Sequence, residues 1–216
     1  MELSDYFRIL RQRGWLIILL MVLTAAAAYG FSRIQTPVFQ SSLRLLVSPS
    51  RTDFGQAQAA KVLLTSYEQW LYSSYQAQAV INKLQLDLTA GELLSDVRVS
   101  SDGNSFVINL TVENTDPNLA NDIARAWGEE LIMWQNEKND RLRLEDRITI
   151  EFIDDPQAGL DRPKTMINTA AGAVFGLLIG VGLLFFLEWI ASGVMRRRED
   201  IERYLEIPVI GSIPQE

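Results

Sequence analysis

Two long uncharged runs dominate the hydrophobic pattern of this chain. Trp15–Ser32 reads WLIILLMVLTAAAAYGFS, with Arg13 and Arg33 outside it, and Met166–Ile190 carries one charge, Glu188, near its end. At about 1.5 Å rise per residue, each run approaches the roughly 30 Å of a bilayer's hydrocarbon. The pattern therefore predicts membrane-crossing helices over 15–32 and 166–190. A cleavable signal peptide competes for the first run, because Ala25–Ala28 offers a small-residue cleavage site. The preceding segment is long and holds Glu2 and Asp5, and apolar character continues to Phe31, which favours a retained anchor. The second run is too long for a buried core helix.

Between the runs the period changes. Val38–Val47 alternates, predicting a strand that starts almost at the membrane and is interrupted at Ser48-Pro49-Ser50. Residues 55–84 place Val62, Leu63, Tyr67, Trp70, Leu71, Val80, Ile81 and Leu84 at the spacing of one or two helices. Asp96–Ser101 and Ser105–Glu113 predict strands joined by Asp102-Gly103-Asn104, residues that tolerate the positive φ of a hairpin, with Phe106, Ile108, Leu110 and Val112 on one face. Asp116-Pro117 supplies an N-cap and a first helical residue for a helix running to about Arg143, and Arg147–Ile153 predicts a last strand. The order strand, helix, strand, strand, helix, strand permits a split βαβ, ferredoxin-like sandwich.

The expected fold class is an α+β membrane protein whose two transmembrane helices flank an extracytoplasmic ferredoxin-like domain. Residues 1–14 form a cytoplasmic interfacial helix with Leu3, Phe7 and Leu10 on one face, followed by a transmembrane helix over 15–32. The α/β domain takes 33–165, with a proline-containing exit segment at 155–164. The second transmembrane helix takes 166–190 and a cytoplasmic tail takes 191–216. Arg11 and Arg13 before the first span, and Arg196, Arg197 and Arg198 after the second, serve as membrane anchors against anionic lipid and put both termini in the cytoplasm.

Composition narrows the chemistry. The 216 residues include 20 Lys plus Arg, 27 Asp plus Glu, no His and no Cys, for a net charge of −7. Thiol nucleophiles, imidazole bases, Cys/His zinc sites and disulfides are thereby excluded. The negative balance argues against nucleic acid as a partner. Asp154-Asp155, Glu129-Glu130 and Glu145-Asp146 are adjacent carboxylates that diverge on a helix or turn, unlike an acid/base pair across a cleft, and read as solvated surface. Arg141, Arg143 and Arg147 lie among Asp140, Glu145 and Asp146 and read as salt-bridged helix surface. There is no phosphate-binding G-x-x-x-x-G-K-[ST] loop. The expectation is no catalytic, cofactor-binding or metal residue, and no enzyme.

Other positions point to packing. Gly172, Gly176 and Gly180 recur every four residues and line one side of the second span, where another helix can approach closely, either the first span or a neighbouring subunit. In the tail, Ile207, Pro208, Val209, Ile210, Gly211, Ile213 and Pro214 make an extended apolar run suited to docking on a partner. Trp70, Trp127 and Trp134 fit a core or subunit interface.

Four segments in order resemble one family. Leu3-Ser4-Asp5-Tyr6-Phe7-Arg8-Ile9-Leu10-Arg11 is similar to the opening of the polysaccharide co-polymerases, the Wzz-type chain-length determinants. Thr36-Pro37-Val38-Phe39-Gln40-Ser41-Ser42 resembles their entry into the first strand. Asp155-Pro156 through Pro163-Lys164, followed by Asn168, Gly172 and Gly176, resembles their proline segment at the second membrane helix. Glu199–Pro214 is similar to the stretch that joins the membrane unit to a tyrosine autokinase or ends a separate adaptor. Two departures stand out: Gly159 sits where family members often carry a further proline, and the outer domain is too short for a long protruding helical hairpin. The resemblance is therefore to the short capsular or exopolysaccharide adaptor type, with no kinase domain after Glu216.

The resemblance implies that Pro156, Gly159, Pro163 and Lys164 couple the outer domain stiffly to the second span. It also implies a non-catalytic membrane subunit of capsule, exopolysaccharide or O-antigen synthesis and export. Such a subunit oligomerises with its own copies, contacts membrane lipid, a membrane polymerase or export machinery and nascent polysaccharide, and regulates polymer length. The alternative is an adaptor whose tail activates a separate cytoplasmic tyrosine kinase. A membrane sensor, the third reading, lacks a recognisable aromatic pocket in the spacing.

Overall fold

A computed structural model describes residues 3–50 and 54–192. The chain forms two compact units, one from residues up to Ile34 together with those from Lys164 onward, the other from Gln35–Pro163.

The first unit pairs helix α1, Leu3–Ile34, with helix α6, Thr165–Ser192. Within them Arg13–Ile34 and Thr165–Ile190 are long and apolar enough to cross a membrane. The interfacial helix expected over 1–14 has no boundary of its own in the backbone, because α1 continues unbroken through Gly14. A lone glycine weakens a helix by only about 1 kcal/mol relative to alanine and does not end it. Away from their mutual contact both helices present large apolar side chains outward, with Phe31 68% and Trp189 72% exposed. Lipid, unlike water, solvates such faces without penalty.

The second unit runs β1 Val38–Pro49, α2 Phe54–Leu71, α3 Ser74–Leu84, α4 Ala90–Ser95, β2 Val97–Asp102, β3 Val107–Asn114, α5 Pro117–Asn139, a 3-10 turn Leu144–Asp146, β4 Ile148–Phe152 and β5 Gln157–Arg162. The strands form one sheet in the order β2-β3-β1-β4, with β5 also on β1 and every pairing antiparallel. Period-2 patterning makes one face of it: Leu43, Leu45 and Val47 of β1 and Ile108, Leu110 and Val112 of β3 are buried, while Ser42, Arg44 and Leu46 are exposed. Tyr67 of α2, Val80 of α3 and Trp127 of α5 complete the core on that face.

Several local features differ from the sequence expectation. Helix α4 was not foreseen, although Thr89 and Glu92 form a reciprocal capping box at its start. Backbone and hydroxyl hydrogen bonds from Thr89 hold the Glu92 carboxyl below its usual range. In the β2–β3 turn the positive φ falls on Phe106, at 55°, and on no glycine. Asp102 accepts from the Asn104 N–H and the Ser105 hydroxyl, which sets the turn, and Phe106 then closes it while packing its ring on the core. Helix α5 stops at Asn139 instead of Arg143, because the Asn139 side chain pairs with both the N–H and the C=O of Ile148 and ties the helix end to β4. Arg141, Arg143 and Arg147 therefore follow the helix and do not line its surface. The Ser48-Pro49-Ser50 interruption also falls later, since β1 runs through Pro49, opposite Ile148.

The largest correction concerns Pro156–Pro163. The sequence predicts Arg147–Ile153 as the last strand and 155–164 as an exit segment, yet Gln157–Arg162 forms a further strand, β5, against Val38–Ser42. The prolines flank the strand instead of interrupting it, so no ladder hydrogen bond is lost within it. β4 occupies only Leu45–Pro49 of the same edge of β1, leaving the earlier half of that long strand free to pair.

Candidate functional site

Four residues per repeat bring Gly172, Gly176 and Gly180 to one side of α6, and α1 packs there. A Cβ built at Gly172 would lie 2.6 Å from Ala28 Cβ and 2.9 Å from the Thr24 carbonyl oxygen. At Gly176 it would lie 2.7 Å from the Leu20 carbonyl oxygen and 2.8 Å from Met21 Cα, and at Gly180 2.9 Å from Ile17 Cα. The partner in this structure is the first apolar helix of the same chain, met at backbone distance. Thr24, inside that contact, donates its hydroxyl to its own helix at Leu20 O, 2.8 Å, so no donor is left bare in an apolar setting.

Polar contacts mark both ends of the pair. Ser32 is fully buried, donates to Thr165 Oγ1 at 3.2 Å and accepts from Asn168 Nδ2 at 3.2 Å. Toward the other end Arg13 meets Glu188 at 3.7 Å. Sequence reasoning treated Arg13 as a lipid anchor and Glu188 as a lone charge near the end of the second run, and missed their pairing, since nothing local relates positions so far apart. Arg11 is exposed. Arg196, Arg197, Arg198 and the run Ile207, Pro208, Val209, Ile210, Gly211, Ile213 and Pro214 lie outside the described residues.

In the exit segment Pro156 is buried, Gly159 is exposed with no heavy atom within 4 Å of a built Cβ, and Lys164 precedes α6, its carbonyl accepting the Asn168 N–H at 2.9 Å. The Arg162–Pro163 peptide bond is cis. Strand β5 contributes little to the core; Leu160 is 60% exposed. Ion pairs hold its two ends instead. Arg125 meets Asp155 at 3.0 Å just before it, and Arg162, its last residue, pairs with Glu113. The Glu113 side chain is 9% exposed and is also bound by Arg98 at 2.9 Å. Both arginines are more than half exposed, so each pair is worth no more than about 1 kcal/mol. Glu113→Gln should therefore raise amide exchange across Gln157–Arg162 by up to about fivefold, the equivalent of about 1 kcal/mol, and leave β3 protected. Mass-spectrometric exchange reads this directly, and equal protection of β5 in parent and variant would refute the electrostatic account of its attachment.

The remaining carboxylate pairs are also engaged. Asp154 pairs with Arg44, and Glu129 and Glu130 both reach Lys83 at 3.1 Å. They tie elements together and frame no cleft. Among the described residues, no group of three or more Asp and Glu side chains is arranged to hold a metal ion.

The tryptophans divide by depth. Trp127 is wholly buried and donates its indole N–H to Leu71 O at 3.1 Å. Trp70 and Trp134 stack at 4.4 Å between ring centroids, and Lys138 Nζ sits 3.3 Å from the Trp134 centroid. Tyr67 donates to Gln135 Oε1, Gln135 Nε2 donates to Asn139 Oδ1, and Asn139 Nδ2 donates to the Ile148 carbonyl. This chain of hydrogen bonds crosses from α2 through α5 to β4. Burial pushes the Tyr67 phenol up to about 12, so it remains a donor across the physiological range.

Two apolar helices in close contact, joined in sequence to an α/β sheet unit, define a membrane-associated α/β protein. Its residues 1–95 match the family described as Wzz, chain length determinant protein. The chain is 28% identical over 210 residues to the probable capsular polysaccharide biosynthesis protein YwqC of Bacillus subtilis, covering 91% of this chain and 82% of that one. It is 24% identical over 220 residues to the capsular polysaccharide biosynthesis protein CpsC of Streptococcus pneumoniae, covering 99% and 94%. A solved structure described as a full-length bacterial polysaccharide co-polymerase aligns at a TM-score of 0.48 and 10% identity, covering 88% of this chain and 99% of that one. Over residues 1–95 the chain is thus similar to the Wzz-type chain-length determinants, and over most of its length to capsular polysaccharide biosynthesis proteins.

Proposed function

We propose that this chain is a non-catalytic membrane subunit of polysaccharide synthesis and export that oligomerises and regulates polymer length. It crosses the bilayer twice, with both termini cytoplasmic and Gln35–Pro163 outside, the flanking arginines favouring that orientation. The observation that carries the reading is the connection between the apolar helices and the sheet. The chain enters β1 at Val38, four residues after α1 ends, and leaves β5 at Arg162, three residues before α6 begins. These two strands are hydrogen-bonded neighbours, so both covalent links to the spans leave the sheet from adjacent strands. The strand order β2-β3-β1-β4 with antiparallel neighbours supports a ferredoxin-like, split βαβ sandwich extended by one strand. Copies of that domain packing around an axis, next to a membrane polymerase and its nascent product, would sense or limit chain growth. Pro156, Gly159, Pro163 and Lys164 form the coupling segment, and the glycine stripe keeps the two spans together as one body.

Polymer size analysis tests this reading. Loss of the chain should shift the size distribution of the surface polysaccharide, and the intact chain supplied in trans should restore it. An unchanged distribution would refute the role. The tail's apolar run with two prolines supports a second activity, docking to a cytoplasmic tyrosine kinase. Truncation after Arg198 should then abolish kinase phosphorylation while oligomers persist.

A further inference from the structure

Beside the free edge of the sheet, α2 and β2 enclose an open groove of about 580 Å³ lined by Glu68, Gln69, Tyr72, Val97, Arg98 and Val99. A space of that size accommodates a small ligand. Its outer wall is a strand edge that no other strand pairs among the described residues. β2 is the terminal strand of the sheet, and the Asp96 carbonyl accepts the Glu113 N–H at 2.8 Å. Backbone polar groups alternate in direction along an antiparallel strand, so the N–H and C=O groups of the half-buried Val99 point away from β3 along the open edge, while Val97 is buried in the groove floor. Glu68 is held in place, its Oε2 accepting the Ser101 hydroxyl at 2.7 Å, while its other oxygen has no partner among the described residues. Tyr72, 54% exposed, offers a ring and a phenol, and Gln69 an exposed amide.

An accessible aromatic ring, an amide, a fixed carboxylate and free backbone groups around one open groove match the chemistry of a pyranose. The apolar C–H face of the sugar stacks on the ring, and its hydroxyls both donate to the carboxylate and accept from the amide and backbone N–H groups. Charge selects among sugars. Glu68 repels an anionic residue, and the Arg98 guanidinium is drawn to Glu113 at 2.9 Å on the far side of the strand. We propose that this groove binds neutral sugar residues of the polymer whose length the chain regulates. The proposal rests on the polymer-length reading and gives that reading a contact point.

The test uses the full chain in lipid nanodiscs, titrated with size-fractionated oligosaccharides cut from the host's own surface polymer and read by saturation-transfer NMR. A second arm uses the same fragments with any uronic carboxylates reduced to alcohols. Saturable binding is expected, undiminished by carboxylate reduction. Tyr72→Ala and Gln69→Ala should each weaken it about tenfold, the equivalent of about 1.4 kcal/mol. Tyr75→Ala, on the neighbouring helix and 77% exposed, should bind like the parent. Four results would overturn the proposal: no saturable binding, groove variants equal to the parent, binding lost on carboxylate reduction, or a photo-crosslinker at Val99 that captures a protein strand in place of sugar. If removing the chain alters polymer size while groove variants neither lose binding nor change that size, the groove assignment falls and the length-regulation reading stands. If removing the chain leaves polymer size untouched, the reading itself falls.

Discussion

Trp127→Ala should destabilise the sheet unit by about 3–5 kcal/mol, the range for truncating a large buried aromatic. Two effects combine. The indole lies wholly within the core, so its removal leaves a cavity that the surrounding side chains fill only in part. It also donates to the Leu71 carbonyl at the C-terminal end of α2, so truncation leaves that acceptor buried and unpaired. Native stabilities are about 5–15 kcal/mol, so the loss is a large fraction of the whole. Trp134→Ala is the informative comparison. Its ring stacks on Trp70 and lies under Lys138 at the edge of the core, and the stacking is worth about 0.5–1.5 kcal/mol. Denaturant unfolding of the full chain in detergent, followed by far-UV circular dichroism, ranks the two variants. A Trp127→Ala midpoint equal to that of Trp134→Ala would mean that the indole is not the keystone between α2 and α5.

Gly176→Leu should separate the two apolar helices. A side chain there meets carbonyl and Cα atoms of α1 at under 3 Å, and backbone cannot move aside as a flexible side chain can. Overpacking of this kind costs about 1–3 kcal/mol, and in a bilayer close packing is much of what holds helices together. Gly182 lies on the same helix with nothing within 4 Å of its built Cβ, so Gly182→Leu should be neutral. The absence of native cysteine makes the measurement clean. Arg13→Cys with Glu188→Cys puts two thiols at positions whose long side chains now meet at 3.7 Å, a gap to be bridged by a bifunctional maleimide with a spacer matching the side-chain length removed. Cross-linking in membranes should fall about tenfold with Gly176→Leu, equivalent to about 1.4 kcal/mol, and persist with Gly182→Leu. Equal yields in both would indicate that the glycine stripe does not face α1 in the bilayer.

The glycine stripe also shows where sequence reasoning stops. Its period marks a close helix contact, but period alone leaves open whether a second copy or the first span fills the groove. Backbone distances from Gly172, Gly176 and Gly180 to residues 17–28 answer this for the isolated chain. In the sheet unit, long patterned elements were legible because burial on one face writes a period into the sequence: β1, α2, α3, β3 and α5 all lie near their expected places. Short elements held by specific contacts were not. β5 has no apolar period, since its attachment is a ladder along β1 with ion pairs at both ends. The end of α5 depends on one asparagine whose partner, Ile148, lies across a turn.

Taken alone, the sequence determined that two spans are apolar enough for lipid, that an α/β region lies between them, and that cysteine and histidine chemistry is absent. Each of these is a property of composition or of a local period, and local terms survive without knowledge of distant neighbours. Only the tertiary structure decided that Arg98 and Arg162 converge on Glu113, that Arg13 meets Glu188, that β5 joins β1, and that Tyr72 faces an unpaired strand edge. Those juxtapositions come from chain segments tens of residues apart, brought together by packing, and no period in the chain encodes them.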